Sequence, residues 1–566
     1  MPLSAFVAQT LDQTLHDLRL FQPELVVCGT ILLLLLLRVP AATRRIGSWY
    51  VALAGSLLAL LVAVVPESGL AHAAAIPRQE LFGGLLVFDQ MTVFFRALLL
   101  LFAVLFGLLG RITGVVERDE EADFLTLVLG ATLAFCLMAS ANHLVMVFLA
   151  VEMASVPSFV LAGMLKQRQQ SSEAALKYAV YGAGTAGIML YGISLFSGVL
   201  GTAHVPTIAR QLVTGHFDPQ TVIVLALGGL MLMVGLAFKL SAVPFHFWCP
   251  DVFEGAPAEV GAFLSVASKA AALALLVRVV TGLGVAPTDP RQTAQAPPMV
   301  RHVHLLADRS SATTTTTAAL EPPTAAAPGN APTLNAGTVQ RWAVFLLASI
   351  AAVTCTFGNL VAYGQANIKR MLAYSTIAHA GYMMMAVPAA MALADSQPAL
   401  ARTAIAALLF YISVYLFMNL GAFAIVAFLR NAAQSEEIAD YAGLIRTNPM
   451  VVVCFAVILI SLIGIPPLAG FVAKFFLFAS LVEAGGPIMI GLFVIGGVNS
   501  VISLVYYLRV VKVMAMDPEP AGRGSVSVGI LPLAYATVVT LPVVLFGLFS
   551  SGLYRWAEAA VSQLFS

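Results

Sequence analysis

The chain has 566 residues, of which 60% are hydrophobic and only 10% charged, against about 25% charged in a soluble domain. Its apolar residues fall in runs of about 16–25, long enough to cross a hydrocarbon core, which excludes an ordinary soluble enzyme and points to an all-α polytopic membrane protein. A net charge of +1 offers no electrostatic footprint for nucleic acid.

In chain order, the first twenty residues lack the basic-then-apolar order of a cleaved signal. Fourteen spans are predicted, near 22–38, 47–65, 88–110, 123–140, 143–164, 174–199, 221–243, 257–282, 342–362, 370–388, 402–429, 450–482, 487–511 and 528–552. The seventh ends at Pro244. The twelfth is too long for one straight crossing and contains GIPPLAG at 464–470, so both read as broken helices. Two breaks five spans apart suggest an internal duplication, spans 4–8 against 9–13, with the second copy inverted in the membrane. Inverted repeats with discontinuous helices are a transporter architecture. The predicted organisation is three N-terminal helices in 1–122, a first repeat in 123–282, a loop in 283–341, a second repeat in 342–511, and a cytoplasmic loop with helix 14 in 512–566.

Loops after odd-numbered spans carry fourteen Lys and Arg, among them Arg38, Lys166, Lys369, Arg370 and Arg430; the opposite short loops carry five. The positive-inside rule then places the odd loops in the cytoplasm and both termini outside. The 283–341 loop holds TTTTT and EPPTAAAPGNAPT, a composition that cannot form a packed core and is expected to be disordered.

Five cysteines stand in no metal-type spacing. No GxGxxG opens a helix after a strand, and neither GxxxxGK[ST] nor CxxC occurs, so no nucleotide, flavin, haem or iron–sulfur cluster is expected on the chain itself.

The chemistry concentrates in intramembrane charge. Lys239 lies deep in span 7, Lys269 near the middle of span 8 and Lys474 about two turns past the break in span 12. Glu152 stands in the middle of span 5 and His379 within span 10, while His246 follows Pro244 at the first break. Each charge at the bilayer centre costs roughly 2.5–3.5 kcal/mol on the most lenient scale. Ion pairs that merely lock helices explain one such pair, but one acid cannot neutralise three lysines. Desolvation in general lowers a lysine by up to ~3–5 pKa units, so a row of such groups linked by water can relay protons. Glu254 and Glu259 at the start of span 8, and Asp89 at the start of span 3, read as acids that suit a helix dipole.

AFKLSAVPFHFWCPDVFEGAP followed by FLSVASKAAALALLVR closely resembles the N subunit of bacterial NADH–quinone oxidoreductase, respiratory complex I. SSEAALKYAVYGAGTAGIMLYGISLFSG (171–198), NIKRMLAYSTIAHAGYMM (367–384) and GIPPLAGFVAKFFLF (464–478) carry the same resemblance. It implies fourteen helices with two inverted five-helix repeats and broken helices 7 and 12. It also implies that Glu152, Lys239, Lys269 and Lys474 form a proton relay, with His246 and His379 on the family's histidine positions. The implied location is the bacterial inner membrane, in contact with lipid and with other membrane-arm subunits, including a neighbouring antiporter-like subunit. The driving energy would come from the parent complex, which uses NADH, FMN, iron–sulfur clusters and quinone in other subunits. Two features depart from the family pattern, the long 283–341 loop and Ala473 in place of a glycine before Lys474. The competing readings are a subunit of a multi-subunit cation/proton antiporter, a structural membrane scaffold and an independent solute transporter. Deleting about 286–336 is expected to leave assembly and pumping unchanged, measured as complex recovered from membranes and proton uptake by vesicles.

Overall fold

The computed structural model describes residues 3–38, 47–64, 76–215, 217–284, 336–520, 523–524 and 526–565. Most of the low-complexity loop therefore lies outside the described residues. The first helices are α1 (Leu3–Leu20), α2 (Gln22–Leu37) and α3 (Ser48–Val64). A hairpin follows, β1 (Gln79–Leu81) and β2 (Leu86–Phe88), antiparallel with Glu80 opposite Val87. Next come α4 (Gln90–Thr113), α5 (Glu121–Ser140), α6 (Leu144–Ala162), α7 (Gln169–Leu200), α8 (Val205–Thr214), α9 (Pro219–Leu240), α10 (Trp248–Gly255) and α11 (Ala258–Gly284). The remainder comprises α12 (Ala336–Ala362), α13 (Ile368–Met384), α14 (Ala386–Leu393), α15 (Pro398–Ala433), α16 (Pro449–Ile463), α17 (Ala469–Ala484), α18 (Gly486–Met516), α19 (Ile530–Leu548) and α20 (Ser551–Ala560).

Eleven described helices are long and apolar enough to cross a membrane, and twelve if the bent α1–α2 pair makes one crossing. α3 and α16 are apolar but shorter. α1 was not read from the sequence: its polar residues hide it from a search for apolar runs, and it meets α2 at 80°. α8 and α20 escaped for the same reason, being ten-residue amphipathic helices.

Burial orders the helices. α11, α13, α14 and α15 are enclosed on nearly all sides, whereas α7, α18 and α19 turn most of their surface outward. A helix that is apolar all round belongs in the interior of a bundle, and VASKAAALALL in α11 is apolar all round except for Ser268 and Lys269. The central helix of the fold therefore carries Lys269.

Ion pairs tie the helix ends together. At one face, Lys166 meets Glu120 (2.6 Å), Arg38 meets Asp123, and Lys177 meets Glu173 and Asp251 (2.7 Å each). On α10 and its surroundings, Arg370 meets Asp251 (3.0 Å) and Glu254 (2.5 Å), Arg430 meets Glu259 (3.1 Å), and Lys369 meets Glu436 (2.9 Å). Two sequence readings change here. Glu254 lies in the last turn of α10, not at the start of the next helix, so its charge opposes that helix's dipole and is balanced by Arg370. Lys369 is fully buried and also donates to the Ala256 carbonyl at 2.8 Å, so it is a structural ion rather than a solvated loop charge.

At the hairpin end, Asp89 caps α4 by accepting from the Thr92 amide at 2.9 Å, as the dipole reading expects. It also forms a buried pair with Arg278 of α11, whose Nε donates to the Ala139 carbonyl at 2.9 Å and whose Nη2 donates to Thr92 at 2.9 Å. A second buried pair joins Arg96 and Glu24 at 2.5 Å. On the hairpin itself, Glu80 accepts from Asn142 (3.2 Å) and pairs with His204 (3.1 Å). The hydrogen bond to His204 leads in holding the Glu80 carboxyl below its usual range, against the desolvation of its site. Arg278→Leu strands the Asp89 carboxylate and is expected to cost about 3–5 kcal/mol. The thermal midpoint of the purified protein falls accordingly, and adding Asp89→Asn restores part of the loss.

Candidate functional site

The site begins where α9 stops. Ser241 takes a left-handed backbone (φ 55°), and the Ala242 amide folds back onto the Ala237 carbonyl at 2.8 Å. The last carbonyls of the helix are then orphaned. The amide that would reach Leu240 in a continuous helix belongs to residue 244, which is proline and has none. Phe238 keeps the Ser241 amide at 3.0 Å and gains a second donor from the Trp248 indole, also at 3.0 Å. Leu240 recovers one from the Lys269 ammonium, at 2.7 Å.

The second break repeats the device. α16 ends at Gly464 (φ 91°), and the helical donor for the Ile463 carbonyl would be residue 467, again a proline. Lys474 of α17 supplies the missing donor at 2.9 Å. The turn is tight enough that a Cβ on Gly470 would lie 1.9 Å from the Ser461 carbonyl oxygen, so only glycine fits there. A Cβ on Gly464 would come within 2.9 Å of the Lys474 side chain.

The sequence-predicted residues sort as follows. Lys239, Lys269 and Lys474 are 1%, 1% and 4% exposed, and none has a carboxylate within ion-pair distance among the described residues. Lys239 Nζ has no hydrogen-bond partner among the described residues; it sits one residue before the carbonyl that holds Lys269 and within electrostatic reach of Glu152. Glu152 is half-buried on α6, beside a face on which Leu149, Met153 and Val156 are exposed. His379 is buried in α13 and bonds Tyr411 (2.9 Å) and Tyr507 (3.3 Å), within electrostatic reach of Lys474. His246 packs edge-on against Phe357, ring centroids 4.4 Å apart, and bonds none of the lysines. The structure thus brings together Glu152 with Lys239, Lys239 with Lys269 through the break, and His379 with Lys474. It makes no direct bond between Lys269 and His379.

Sequence reasoning missed a buried polar network around Lys474. Tyr506 donates to Asn359 at 3.0 Å, and Asn359 donates to the Tyr382 hydroxyl at 3.3 Å. Ser500 lies 3.4 Å from the same hydroxyl, and Ser375 bonds Tyr507. The sequence holds only a general signal, that Tyr, Asn and Ser in the middle of apolar spans must find partners when buried, and it does not say which residues those partners are. Among the described residues no group of three His, Cys, Asp or Glu could hold a metal ion.

Residues 141–288 and 323–503, more than half the chain, match the family described as NADH:quinone oxidoreductase/Mrp antiporter, TM. A relative named NADH-quinone oxidoreductase subunit N 2, from Sorangium cellulosum, is 36% identical over 98% of this chain and 99% of its own length. The chain belongs to the subunit N family of NADH–quinone oxidoreductases. Among solved structures, a chain of respiratory complex I from Thermus thermophilus matches this subunit N family member with TM-score 0.67 and 27% identity, covering 94% of this chain and 98% of that one. A chain of the Mrp complex from Dietzia has TM-score 0.74 at 18% identity over 96% and 97% of the two chains, a likeness of fold alone.

Proposed function

We propose that the chain is the proton-translocating subunit N of an NADH–quinone oxidoreductase. Protons pass through Glu152, Lys239, Lys269, His379 and Lys474 near the membrane midplane, with His246 at the first break as a further candidate. In this reading the fold has fourteen crossings and two inverted five-helix repeats, 123–282 and 342–511, and lies in the bacterial inner membrane with both termini outside. The chain carries no redox centre. NADH, FMN, iron–sulfur clusters and quinone act in other subunits of the complex, and neighbouring membrane-arm subunits flank this one.

The observation that carries the reading is the pairing of each helix break with a buried lysine. An ammonium with no counter-ion is costly at membrane depth, and here each of two rests on a backbone carbonyl freed by a break. Lys239, with no hydrogen bond of its own among the described residues, is the group most free to change state when the charge on Glu152 changes. Moving one charge across 100 mV takes ~2.3 kcal/mol, a little under two pKa units of ~1.4 kcal/mol each. Modest alternation of electrostatic attraction along the row therefore suffices to work against a membrane potential.

The test is transport by the purified complex in vesicles. NADH and quinone added together are expected to acidify the lumen equally with and without sodium, and Lys239 variants to lose the signal. The alternative, a subunit of a cation/proton antiporter, predicts proton movement that requires sodium and ignores NADH.

A further inference from the structure

Lys474 is buried with no acid within ion-pair distance among the described residues, and its two hydrogen bonds, to the Ile463 carbonyl and Ser500, go to neutral acceptors. The groups that face it come from four elements: the Ile463 carbonyl from α16, Ser500 from α18 at 3.3 Å, Cys355 from α12, and His379 and Tyr382 from α13. The largest of these is Tyr382. Its ring face lies under the ammonium, with Nζ 4.3 Å from the ring centroid. An aromatic face at that distance attracts a cation through its quadrupole, most strongly where water is excluded.

The Tyr382 ring is not free to turn. Its hydroxyl accepts from Asn359 (3.3 Å) and meets Ser500 (3.4 Å), Asn359 is itself held by Tyr506 (3.0 Å), and Phe478 packs edge-on against the ring at 6.4 Å. Ser500 touches both the hydroxyl and Nζ. The ring of His379, one turn earlier on α13, meets the Tyr382 ring edge-on with centroids 5.8 Å apart. Tyr382 thus touches both the histidine and the lysine of the second half. In the first half, Lys269 has its carbonyl and no aromatic face among the described residues.

The geometry points to Tyr382 as a positioning residue for the proton relay: its ring face holds the Lys474 ammonium against the Ile463 carbonyl, and Asn359 and Ser500 hold the ring in place. Tyr382 acts through Lys474, not by carrying the proton, so its hydroxyl matters less than its face. This rests on the relay reading proposed above.

The experiment compares Tyr382→Phe with Tyr382→Leu in the assembled complex, reading NADH-driven proton uptake by vesicles. Complex content and NADH oxidation by a soluble artificial acceptor serve as controls for assembly. Tyr382→Leu is expected to lower uptake at least threefold, and Tyr382→Phe to retain at least about two thirds of it, because phenylalanine keeps the face. Equal loss in the two variants, or full uptake by Tyr382→Leu, overturns the proposal. If Tyr382→Leu does not assemble, Tyr382→Met, a flexible filler for the same space, takes its place in the comparison. Lys474→Met separates the two levels. Full uptake in that variant removes Lys474 from the relay altogether, whereas loss there with full uptake in Tyr382→Leu overturns only the role of the ring.

Discussion

Lys239→Ala lowers NADH-driven proton uptake and coupled quinone reduction at least tenfold in a complex that still assembles. The second half of that expectation follows from the bonding. Lys239 Nζ has no hydrogen-bond partner among the described residues, so truncation strands no buried acceptor. That separates it from Arg278, whose loss leaves a carboxylate uncompensated. The first half follows from position: Lys239 is the group between the half-buried Glu152 and the carbonyl that holds Lys269. Without it, a change of charge at Glu152 has no nearby ammonium to act on. Glu152→Gln acts in the same direction but more mildly, since the amide keeps the volume and the polarity. Normal uptake by an assembled Lys239→Ala complex would remove the residue from the mechanism.

The second large effect is expected at Lys474→Arg. Arginine keeps the positive charge, can bond the Ile463 carbonyl, and stacks well on an aromatic ring such as Tyr382. It cannot give up its proton in a protein. A relay that loads and unloads this site therefore stalls, with uptake down at least tenfold, although every static interaction of the lysine has a substitute. The larger head must fit beside Gly464, where space is short, so complex content is measured alongside. A Lys474→Arg complex that pumps like the parent chain identifies Lys474 as a fixed charge that tunes its neighbours. Lys269→Ala, in contrast, removes the charge from the middle of the central helix, between the paired Glu259 and Arg278 near its ends, and is expected to uncouple Glu152 and Lys239 from Lys474. Vesicle uptake with each pair of substitutions, read for additivity, checks this.

Much of the candidate site could be read in the sequence because membranes make charge conspicuous. Lys239, Lys269, Lys474, Glu152 and His379 stand out in apolar runs, and the structure buries or half-buries each of them. The prolines at 244, 466 and 467 marked where helices had to stop. Three kinds of information were not legible. Polar surface helices such as α1 carry no long apolar run. Neutral network residues such as Asn359, Tyr382 and Tyr506 are uncharged and common, so nothing in one dimension separates a bonded tyrosine from a packed one. Pairings across long sequence gaps, such as Asp89 with Arg278 or Glu259 with Arg430, depend on which helix ends meet, and helix dipoles alone offered an adequate but incomplete account.

The carbonyls of Leu240 and Ile463 belong to the main chain. Leucine could become methionine, or isoleucine valine, and the oxygen would remain where it is. A scan that trims one side chain after another would pass over both positions and score them as tolerant. The two acceptors are therefore sheltered from genetic drift in a way that no carboxylate partner could be. What can erode them is the shape of the chain that exposes them. A side chain at Gly470, where even a Cβ would collide with the Ser461 carbonyl, would displace the start of α17, and with it Lys474, without touching a single titratable group.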